Sequence, residues 1–199
     1  MSMSEDPLYQ EAIGRFADVI SEAKQLPLQD PTVMALATVG PDGQPSVRMV
    51  LMRGFDERGP NFFTNVGSRK GQELVKNPKA AVCFHWEPLL KQVRIEGPVQ
   101  ALSDDECDAY WNSRPRESRI GAWASDQSQP LDARQTLEDR VAMFDAKFPG
   151  DEIPRPEFWR GFRIIPHRIE FWASKPARLH DREVYDLGEN GWTYSRLYP

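Results

Sequence analysis

The sequence is poor in cysteine and histidine. It contains two cysteines, which lie far apart without a C-x-x-C pair, and three widely spaced histidines outside any H-E-x-x-H motif. Disulfide frameworks and zinc sites depend on these residues at characteristic spacings. We therefore expect neither a disulfide framework nor a metal site, and the scarcity of cysteine favours a cytoplasmic location.

Long apolar runs and an excess of basic residues are missing as well. The longest apolar runs, Val33–Ala37 and Ala80–Phe84, have five residues each, whereas a membrane span needs roughly 20. Met1–Asp6 has neither the basic start nor the apolar stretch of a secretion signal. The 25 Lys and Arg residues are outnumbered by 30 Asp and Glu residues, for a net charge of −5. We expect no membrane span, no secretion signal and no nucleic-acid partner, although a local basic pocket is compatible with this total.

The glycine-rich loops of common nucleotide-binding folds are also absent. What the sequence does contain is typical of a folded globular protein, since 40% of its 199 residues are hydrophobic and 28% are charged. We predict one domain over residues 1–199.

Periodicity predicts short strands with helices between and around them. Apolar residues at helical spacing indicate a helix that begins at Pro7, is capped by Asp6 and ends by Pro27. Strands are predicted at Val33–Val39, Ser46–Arg53, Asn61–Thr64, Ala80–Trp86 and Lys91–Ala101, with three more after Phe158. Further helices are predicted at Ser68–Lys76, from Ser103 to about Asn112, and at Leu131–Phe148. Because no crossover helices separate the first strands, we predict a mainly β, α+β fold built on a small antiparallel barrel.

One candidate anion site is the segment Thr64–Lys70, where a strand ends at the start of a helix. Free backbone N–H groups, two hydroxyls, Arg69 and Lys70 suit a phosphate monoester. Arg48 lies in the middle of an apolar strand, where a charge is costly unless it is paired or bound. If the turns fold as hairpins, Arg48 lies near this segment and completes a cation cluster. A capped surface helix with solvated cations, and an edge strand whose arginine reaches water, would have the same patterns.

A second candidate is the segment from Tyr110 to Ser118. Tyr110 and Arg114 are four residues apart and would share a helix face, and Ser118 follows the break at Pro115. Phenol, guanidinium and hydroxyl groups form a plausible phosphate cradle, because arginine offers a bidentate fork to phosphate oxygens. Arginines that complement a helix end are the alternative interpretation.

A third candidate is the segment Arg178–Arg182. If it is extended, Arg178, His180 and Arg182 point to one side, where they would act as donors to an anion, with His180 as a proton carrier. Edge strands also carry such charges without any ligand. Glu170–Trp172 and the pair Gln127 and Ser128 add an aromatic face and amide groups, although a tryptophan is more often part of a core.

Taken together, these segments resemble the pyridoxine/pyridoxamine 5′-phosphate oxidase family, whose members are FMN enzymes with a split-barrel fold. The resemblance runs from about Asp30 to Pro199. Its most specific stretches are Arg48–Leu51, Phe63–Lys70, Arg114–Trp123, Glu170–Trp172 and Arg178–Arg182. Each stretch is a modest signal, but their order and separations together are a strong one.

The resemblance implies roles for individual residues. It places the phosphate and ribityl chain of FMN against Arg48, Met49, Val50, Leu51, Phe63, Thr64, Ser68, Arg69 and Lys70. It places Gln92, Gln127, Ser128, Trp172 and Arg182 around the flavin ring. The substrate phosphate would rest on Tyr110, Arg114 and Ser118, and Arg53 would lie near both cofactor and substrate. As catalytic residues, Arg178 and His180 would hold the pyridine ring over the flavin.

The resemblance also implies a reaction and an assembly. The substrate, pyridoxine or pyridoxamine 5′-phosphate, would give a hydride to FMN, dioxygen would leave as hydrogen peroxide, and the product would be pyridoxal 5′-phosphate. The active sites would form between the two subunits of a homodimer, with the strands of about 158–199 contributing to dimer and site. The alternatives are an FMN oxidase of the phenazine-biosynthesis type, which acts on another aromatic substrate, and a non-catalytic flavin-binding protein.

Three departures from the family pattern are visible. Arg53 stands where the family usually has lysine, and Phe63 stands where some members have tyrosine. The sequence begins just ahead of its first predicted helix, so we expect no basic N-terminal extension that closes over substrate. We expect these differences to affect activity more than FMN binding.

Overall fold

The computed structural model describes residues 5–199. Residues 1–4 lie outside this range. They belong to the predicted domain and to Met1–Asp6, the segment expected not to be a secretion signal. No helix within the described range is long and apolar enough to cross a membrane.

The chain begins with helix α1 (Pro7–Lys24), which packs one apolar face against the sheet. Asp6 caps it, because its carboxylate accepts hydrogen bonds from the backbone N–H groups of Leu8 and Tyr9 at 2.9 and 3.4 Å. The buried face consists of Tyr9, Ala12, Ile13, Phe16, Ile20 and Ala23. The helical spacing seen in the sequence therefore matches the face that the fold buries.

Ten strands of the described chain form one antiparallel sheet that curls into a split barrel. They are β1 (Val33–Val39), β2 (Pro45–Leu51), β3 (Gly54–Asp56), β4 (Gly59–Asn65), β5 (Lys79–Trp86), β6 (Lys91–Ala101), β7 (Trp159–Ile164), β8 (Arg168–Ala173), β9 (Asp181–Gly188) and β10 (Gly191–Arg196). The main path runs β10-β9-β8-β6-β5-β1-β2, while β4 pairs with β3 and β7, and β7 pairs with β6. Inward-facing residues of β1, β5, β6 and β8 form the main core with α1.

Four further α-helices lie between the strands. They are α2 (Arg69–Lys76), α3 (Asp104–Ser113), α4 (Arg116–Ala124) and α5 (Arg134–Lys147). A second, smaller core of Trp111, Ile120, Ile153 and Trp159 packs α3 and α4 against the start of β7. This packing brings the ends of α3 and α4 close to β4.

The predicted fold class is confirmed, and the differences are local. The structure has a short strand, β3, that is not among the predicted strands, and four strands rather than three after Phe158. Helix α4 was missed, because Pro115 ends α3 but also stands at the N-cap of a new helix. Proline fits a helix start as well as a helix stop, so its sequence signal has two interpretations.

Gly97 marks the corner of the barrel. Strand β6 pairs with β8 through residues 91–96 and with β7 through residues 99–101, so its partner changes at this glycine. A Cβ atom placed on Gly97 would lie 1.8 Å from the carbonyl oxygen of Ile165. The close approach of two backbones therefore requires glycine here.

We predict that Gly97→Ala lowers the free energy of unfolding by about 1–3 kcal/mol or more, because the backbone must shift to admit the methyl group. Gly14→Ala is the matched control, since Gly14 lies in α1 with no atom within 4 Å of its Cβ position. It should raise stability by about 1 kcal/mol through helix propensity. Urea denaturation of both variants measures the difference, and equal effects would contradict this account of the corner.

Candidate active site

A cavity of about 520 Å³ lies where β2, the end of β4 and the helices α2 to α4 meet. We call it the cationic cavity. Its lining residues are Arg48, Met49, Val50, Leu51, Arg53, Phe63, Thr64, Lys70, Tyr110, Ser113, Arg114, Pro115, Ser118, Gln127 and Trp159. Segments that are far apart in sequence are thus brought to one place: the lining includes Thr64 and Lys70 of the first candidate anion site, but not Ser68 or Arg69, together with the second candidate site.

The lining of the cationic cavity carries four positive side chains and, among the described residues, no carboxylate. Burial lowers the pKa of Arg48, of Lys70 and of Arg114. Each of these charges has therefore lost part of its hydration, which favours binding of an anion. The donor set is that of a phosphate site rather than of a metal site.

Arg114 is the clearest sign of an anionic ligand. It is the C-cap residue of α3, and its guanidinium lies 5.3 Å from the ring of Trp111 and 4.9 Å from that of Trp159. Its Nη1 is buried and has no hydrogen-bond partner among the described residues. A buried N–H group without a partner is costly, and a phosphate oxygen would satisfy it.

Aromatic rings form one wall of the cationic cavity. The ring of Phe63 stacks on Tyr110 at a centroid distance of 4.2 Å and on Trp159 at 4.9 Å. This stack fixes the end of β4 against α3 and the start of β7. A flat apolar wall beside cations suits an aromatic ligand that carries a phosphate.

Lys70 points across the start of α2 to neutral oxygen atoms. Its Nζ donates to Thr64 Oγ1 at 3.2 Å, to Gln127 Oε1 at 3.1 Å and to Ser68 Oγ at 3.4 Å. Ser68 itself is fully buried and caps α2, because its Oγ accepts from the N–H of Gly71 and donates to the carbonyl of Asn65. The lysine charge is therefore held in place without a direct carboxylate partner.

Arg48 is held by a network that centres on the buried carboxylate of Glu73. Glu73 is 6% exposed and also pairs with Arg69, whose Nε lies 2.9 Å from Oε1. Burial alone would raise the pKa of Glu73, but hydrogen bonds from Thr38, Ser46 and Arg69 and the charge of Arg48 lower it to about 2. Glu73 is therefore ionised at neutral pH.

A second group of predicted site residues lies on β6, β8 and β9. Gln92 faces Trp172 across one strand pair, and Trp172 faces Arg182 across the next. The ring of His180 lies 4.6 Å from that of Trp172. We call these four residues, Gln92, Trp172, His180 and Arg182, the β9 cluster.

A buried carboxylate, that of Glu170, lies beside the β9 cluster and is 2% exposed. Arg182 Nε donates to Glu170 Oε1 at 2.9 Å, and Arg94 Nη1 lies 3.4 Å from Oε2. The guanidinium of Arg182 is thereby fixed beside Trp172.

The segment Arg178–Arg182 does not meet the condition of an extended backbone under which its three polar side chains would point to one side. Residues Pro176–Arg178 form a single 3-10 turn, and strand β9 begins at Asp181. Ala177 and Arg178 have positive φ angles of 57° and 61°, a region that costs side-chain-bearing residues energy. The three side chains therefore do not alternate along one strand, and Arg178 is exposed at the turn.

This turn nevertheless orients His180. The backbone N–H of Lys175 donates to His180 Nδ1 at 3.2 Å, so the neutral imidazole carries its proton on Nε2. Strained backbone of this kind is concentrated at functional sites, and Ser128, another predicted site residue, also has a positive φ of 72°.

The cationic cavity and the β9 cluster lie apart in a single chain. Arg48 is on the edge strand β2 and Arg182 is on β9, with β1, β5, β6 and β8 between them in the sheet order. No residue of the β9 cluster is among the described residues that line the cationic cavity. The predicted site residues are thus divided into two groups by the fold, and their roles stay predictions.

Sequence reasoning missed several residues of this region. Trp159 and Ser113 line the cationic cavity, and Glu73 holds two of the predicted ligands. The available signal for Glu73 was its position four residues after Arg69, which places both on one helix face. For Trp159 the signal was only its place at the start of an aromatic-rich tail.

Two family models match the chain. The model of the pyridoxamine 5′-phosphate oxidase family matches residues 20–147, and that of the pyridoxine 5′-phosphate oxidase C-terminal dimerisation region matches residues 159–199. The second match covers β7 to β10 and so includes most of the β9 cluster.

Full-length relatives and a solved structure agree with these matches. Proteins named pyridoxine/pyridoxamine 5′-phosphate oxidase from Gluconobacter oxydans and Chelativorans sp. are 52% and 55% identical to this chain. The alignments cover 99% and 95% of this chain and 100% and 91% of those proteins. The crystal structure of PhzG from Burkholderia lata, in complex with tetrahydrophenazine-1-carboxylic acid, is 32% identical with a TM-score of 0.89, over 97% of this chain and 96% of that one. The chain therefore belongs to the pyridoxamine 5′-phosphate oxidase family.

Proposed function

We propose that this protein is an FMN-dependent oxidase that converts pyridoxine or pyridoxamine 5′-phosphate to pyridoxal 5′-phosphate. The alcohol loses two electrons and two protons, which reduce O₂ to hydrogen peroxide. The amine is oxidised in the same way, and water then replaces its nitrogen as ammonia is released. The observation that carries the proposal is the buried Nη1 of Arg114, which has no hydrogen-bond partner within residues 5–199 and lies in a cavity that holds a separate cation at Lys70.

FMN fits the donors on the Lys70 side of the cationic cavity. Lys70 and Arg69 would hold its phosphate, with the hydroxyl of Thr64 beside them, and the exposed edge of β2 from Met49 to Leu51 would carry the ribityl chain. Bound FMN would supply the two-electron chemistry of the reaction.

The Arg114 side of the cationic cavity fits the substrate. Arg114 would bind the substrate phosphate through its free N–H, with Tyr110 and Ser118 as hydroxyl donors. Arg53 lies at the same cavity, and its guanidinium is 3.8 Å from the carboxylate of Asp30. Two phosphates bound at separate cations would set the distance and orientation between the reacting rings, which lowers the entropic cost of bringing them together.

The division of the predicted residues supports an active site shared between two subunits. The β9 cluster of one protomer would close over the cationic cavity of its partner, bringing Arg178 and His180 to the substrate ring. Val47 and Met49 on the edge strand β2 are 69% and 64% exposed in the single chain. These two side chains share one face of β2 and form an exposed apolar pair, so a second copy that covers them would also enclose the site.

In this arrangement the Nε2–H of His180 would donate a hydrogen bond to the pyridine ring nitrogen or to one of the ring's polar substituents. Arg178, which makes no hydrogen bond or ion pair with the described residues, would be available to orient the substrate at the reacting carbon. Enclosure by the partner would exclude water from the site.

A second candidate is an FMN oxidase that acts on an unphosphorylated aromatic acid, which the 32% identity to PhzG favours. Such an enzyme would use Arg114 for a carboxylate. The two candidates differ in whether the phosphate of the substrate is required.

We expect the purified protein to bind FMN and, in air, to convert both 5′-phosphates to pyridoxal 5′-phosphate with one peroxide formed per product. Product absorbance and coupled peroxide detection measure this. Bound FMN without turnover of either phosphate would contradict the proposal, and would favour the second candidate or a non-catalytic flavin-binding protein.

We further predict that Arg114→Met raises KM for pyridoxamine 5′-phosphate by about tenfold to a hundredfold, because charge-assisted hydrogen bonds to the phosphate are lost. Methionine keeps the apolar packing between the two tryptophans, so FMN content should not change. The residual activity on unphosphorylated pyridoxamine should also be unchanged.

The matched control is Arg116→Met, since Arg116 is paired with Asp145 outside the cationic cavity. Steady-state kinetics of Arg116→Met should show an unchanged KM for pyridoxamine 5′-phosphate. If Arg114→Met lowered the activity on pyridoxamine 5′-phosphate and on unphosphorylated pyridoxamine equally, Arg114 would not bind the phosphate.

A further inference from the structure

Glu73 lies behind the cations at the start of α2 and joins three elements. Its Oε2 accepts hydrogen bonds from Thr38 Oγ1 on β1 at 2.5 Å and from Ser46 Oγ on β2 at 2.7 Å. Its Oε1 accepts from Arg69 Nε on α2 at 2.9 Å. The carboxylate is buried and, since it makes no contribution to the lining of the cationic cavity, it acts on a ligand only through its neighbours.

Arg48 is immobilised by this network. A guanidinium has five N–H donors, and Arg48 uses four of them inside the protein. Its Nη1 lies 3.1 Å from the carbonyl oxygen of Leu36 and 2.5 Å from Thr38 Oγ1. Its Nη2 lies 2.5 Å from Ser46 Oγ and 3.3 Å from Glu73 Oε2. Only its Nε–H is left for a ligand, so Arg48 acts mainly as a fixed charge.

Arg69 differs from Arg48, because it is bonded through its Nε and not through its Nη groups. The Nε of Arg69 donates a hydrogen bond to Glu73. The Arg69 side chain as a whole is 61% exposed, and it makes no other hydrogen bond to the described residues. Both Nη groups are therefore free to form a fork. A fork whose Nε is anchored on a buried carboxylate loses less conformational entropy when it binds phosphate oxygens.

The charges around Glu73 also match a phosphate monoester. Arg48, Arg69 and Lys70 carry three positive charges and Glu73 carries one negative charge, which leaves a net charge of +2. A phosphate monoester carries about −1.5 to −2 at neutral pH. The cluster is thus neutralised by one such group.

We propose that Glu73 is a positioning residue that fixes Arg48 and Arg69 for the phosphate of FMN. This inference rests on the proposed function, since it takes FMN as the ligand on the Lys70 side. Two other roles give different expectations. A purely structural carboxylate would affect every ligand alike, and a carboxylate that merely repels the phosphate would weaken binding, so that its removal would tighten it.

The test compares FMN with riboflavin, which has the same ring and ribityl chain but no phosphate. Both are titrated by flavin fluorescence into flavin-free, full-length protein and into the variant Glu73→Gln. We expect Glu73→Gln to weaken FMN binding by about tenfold or more, the effect of losing charge-assisted hydrogen bonds. Riboflavin binding should be unchanged.

The matched control is Glu106→Gln. Glu106 is also paired with a buried arginine, Arg163, at 3.1 Å, but lies outside the cationic cavity and the β9 cluster. This variant should bind both flavins as the wild type does.

If Glu73→Gln does not fold, Ser46→Ala serves in its place, because it removes a single hydroxyl that bonds both Arg48 and Glu73. It should weaken FMN binding severalfold and leave riboflavin binding unchanged.

Equal losses for FMN and riboflavin, or tighter FMN binding, would overturn the positioning role while the proposed function stands. A wild-type protein that binds riboflavin and FMN equally would overturn the positioning role and the phosphate site together.

Discussion

Positive charge held close together in a half-buried cavity is the constraint on which the rest of this structure depends. Arg48, Lys70 and Arg114 have each lost hydration, and burial lowers the pKa of each group. An arginine stays ionised even when it is partly buried, and a nearby carboxylate can hold its guanidinium in one position. Glu73 does this for Arg48 and Arg69, and Glu170 does it for Arg182. Each of the two groups of predicted site residues thus contains an arginine that a buried glutamate holds.

The curled sheet determines where these charges stand. β6 changes partner at Gly97, which places the β4–β7 ribbon and the second aromatic core beside β2. The same sheet carries β9 away from β2, because four strands lie between them. A single chain therefore presents a cationic cavity at one end of its sheet and the β9 cluster toward the other. Two copies related by a two-fold axis could place the cationic cavity of each copy against the β9 cluster of the other, which would form two equivalent sites.

Local sequence patterns made several helices, strands and candidate site residues predictable. The spacing after Pro7 indicates the buried face of α1, and Thr64–Lys70 indicates a strand that ends at a helix start. Tyr110 and Arg114, expected on one helix face, both line the cationic cavity, although α3 ends at Ser113 and Arg114 is its extended C-cap residue. Long-range partners were not predictable in this way. Nothing in the sequence near Glu73 shows that Thr38 and Ser46 would reach its carboxylate, and the left-handed backbone at Ala177 and Arg178 overrides the alternation expected for an extended segment.

The central claim is that a working site needs the cationic cavity of one subunit and the Arg178–Arg182 segment of the other. It is tested most directly by co-expressing Arg114→Met and Arg178→Ala chains with different affinity tags and purifying the mixed dimer. Each parental homodimer should turn over slowly at low substrate concentration, because both of its sites are damaged. The mixed dimer should hold one intact site and one doubly altered site, and so recover roughly half of the wild-type kcat/KM. A mixed dimer no more active than its parents would contradict the claim, because it would place both residues in the site of one chain.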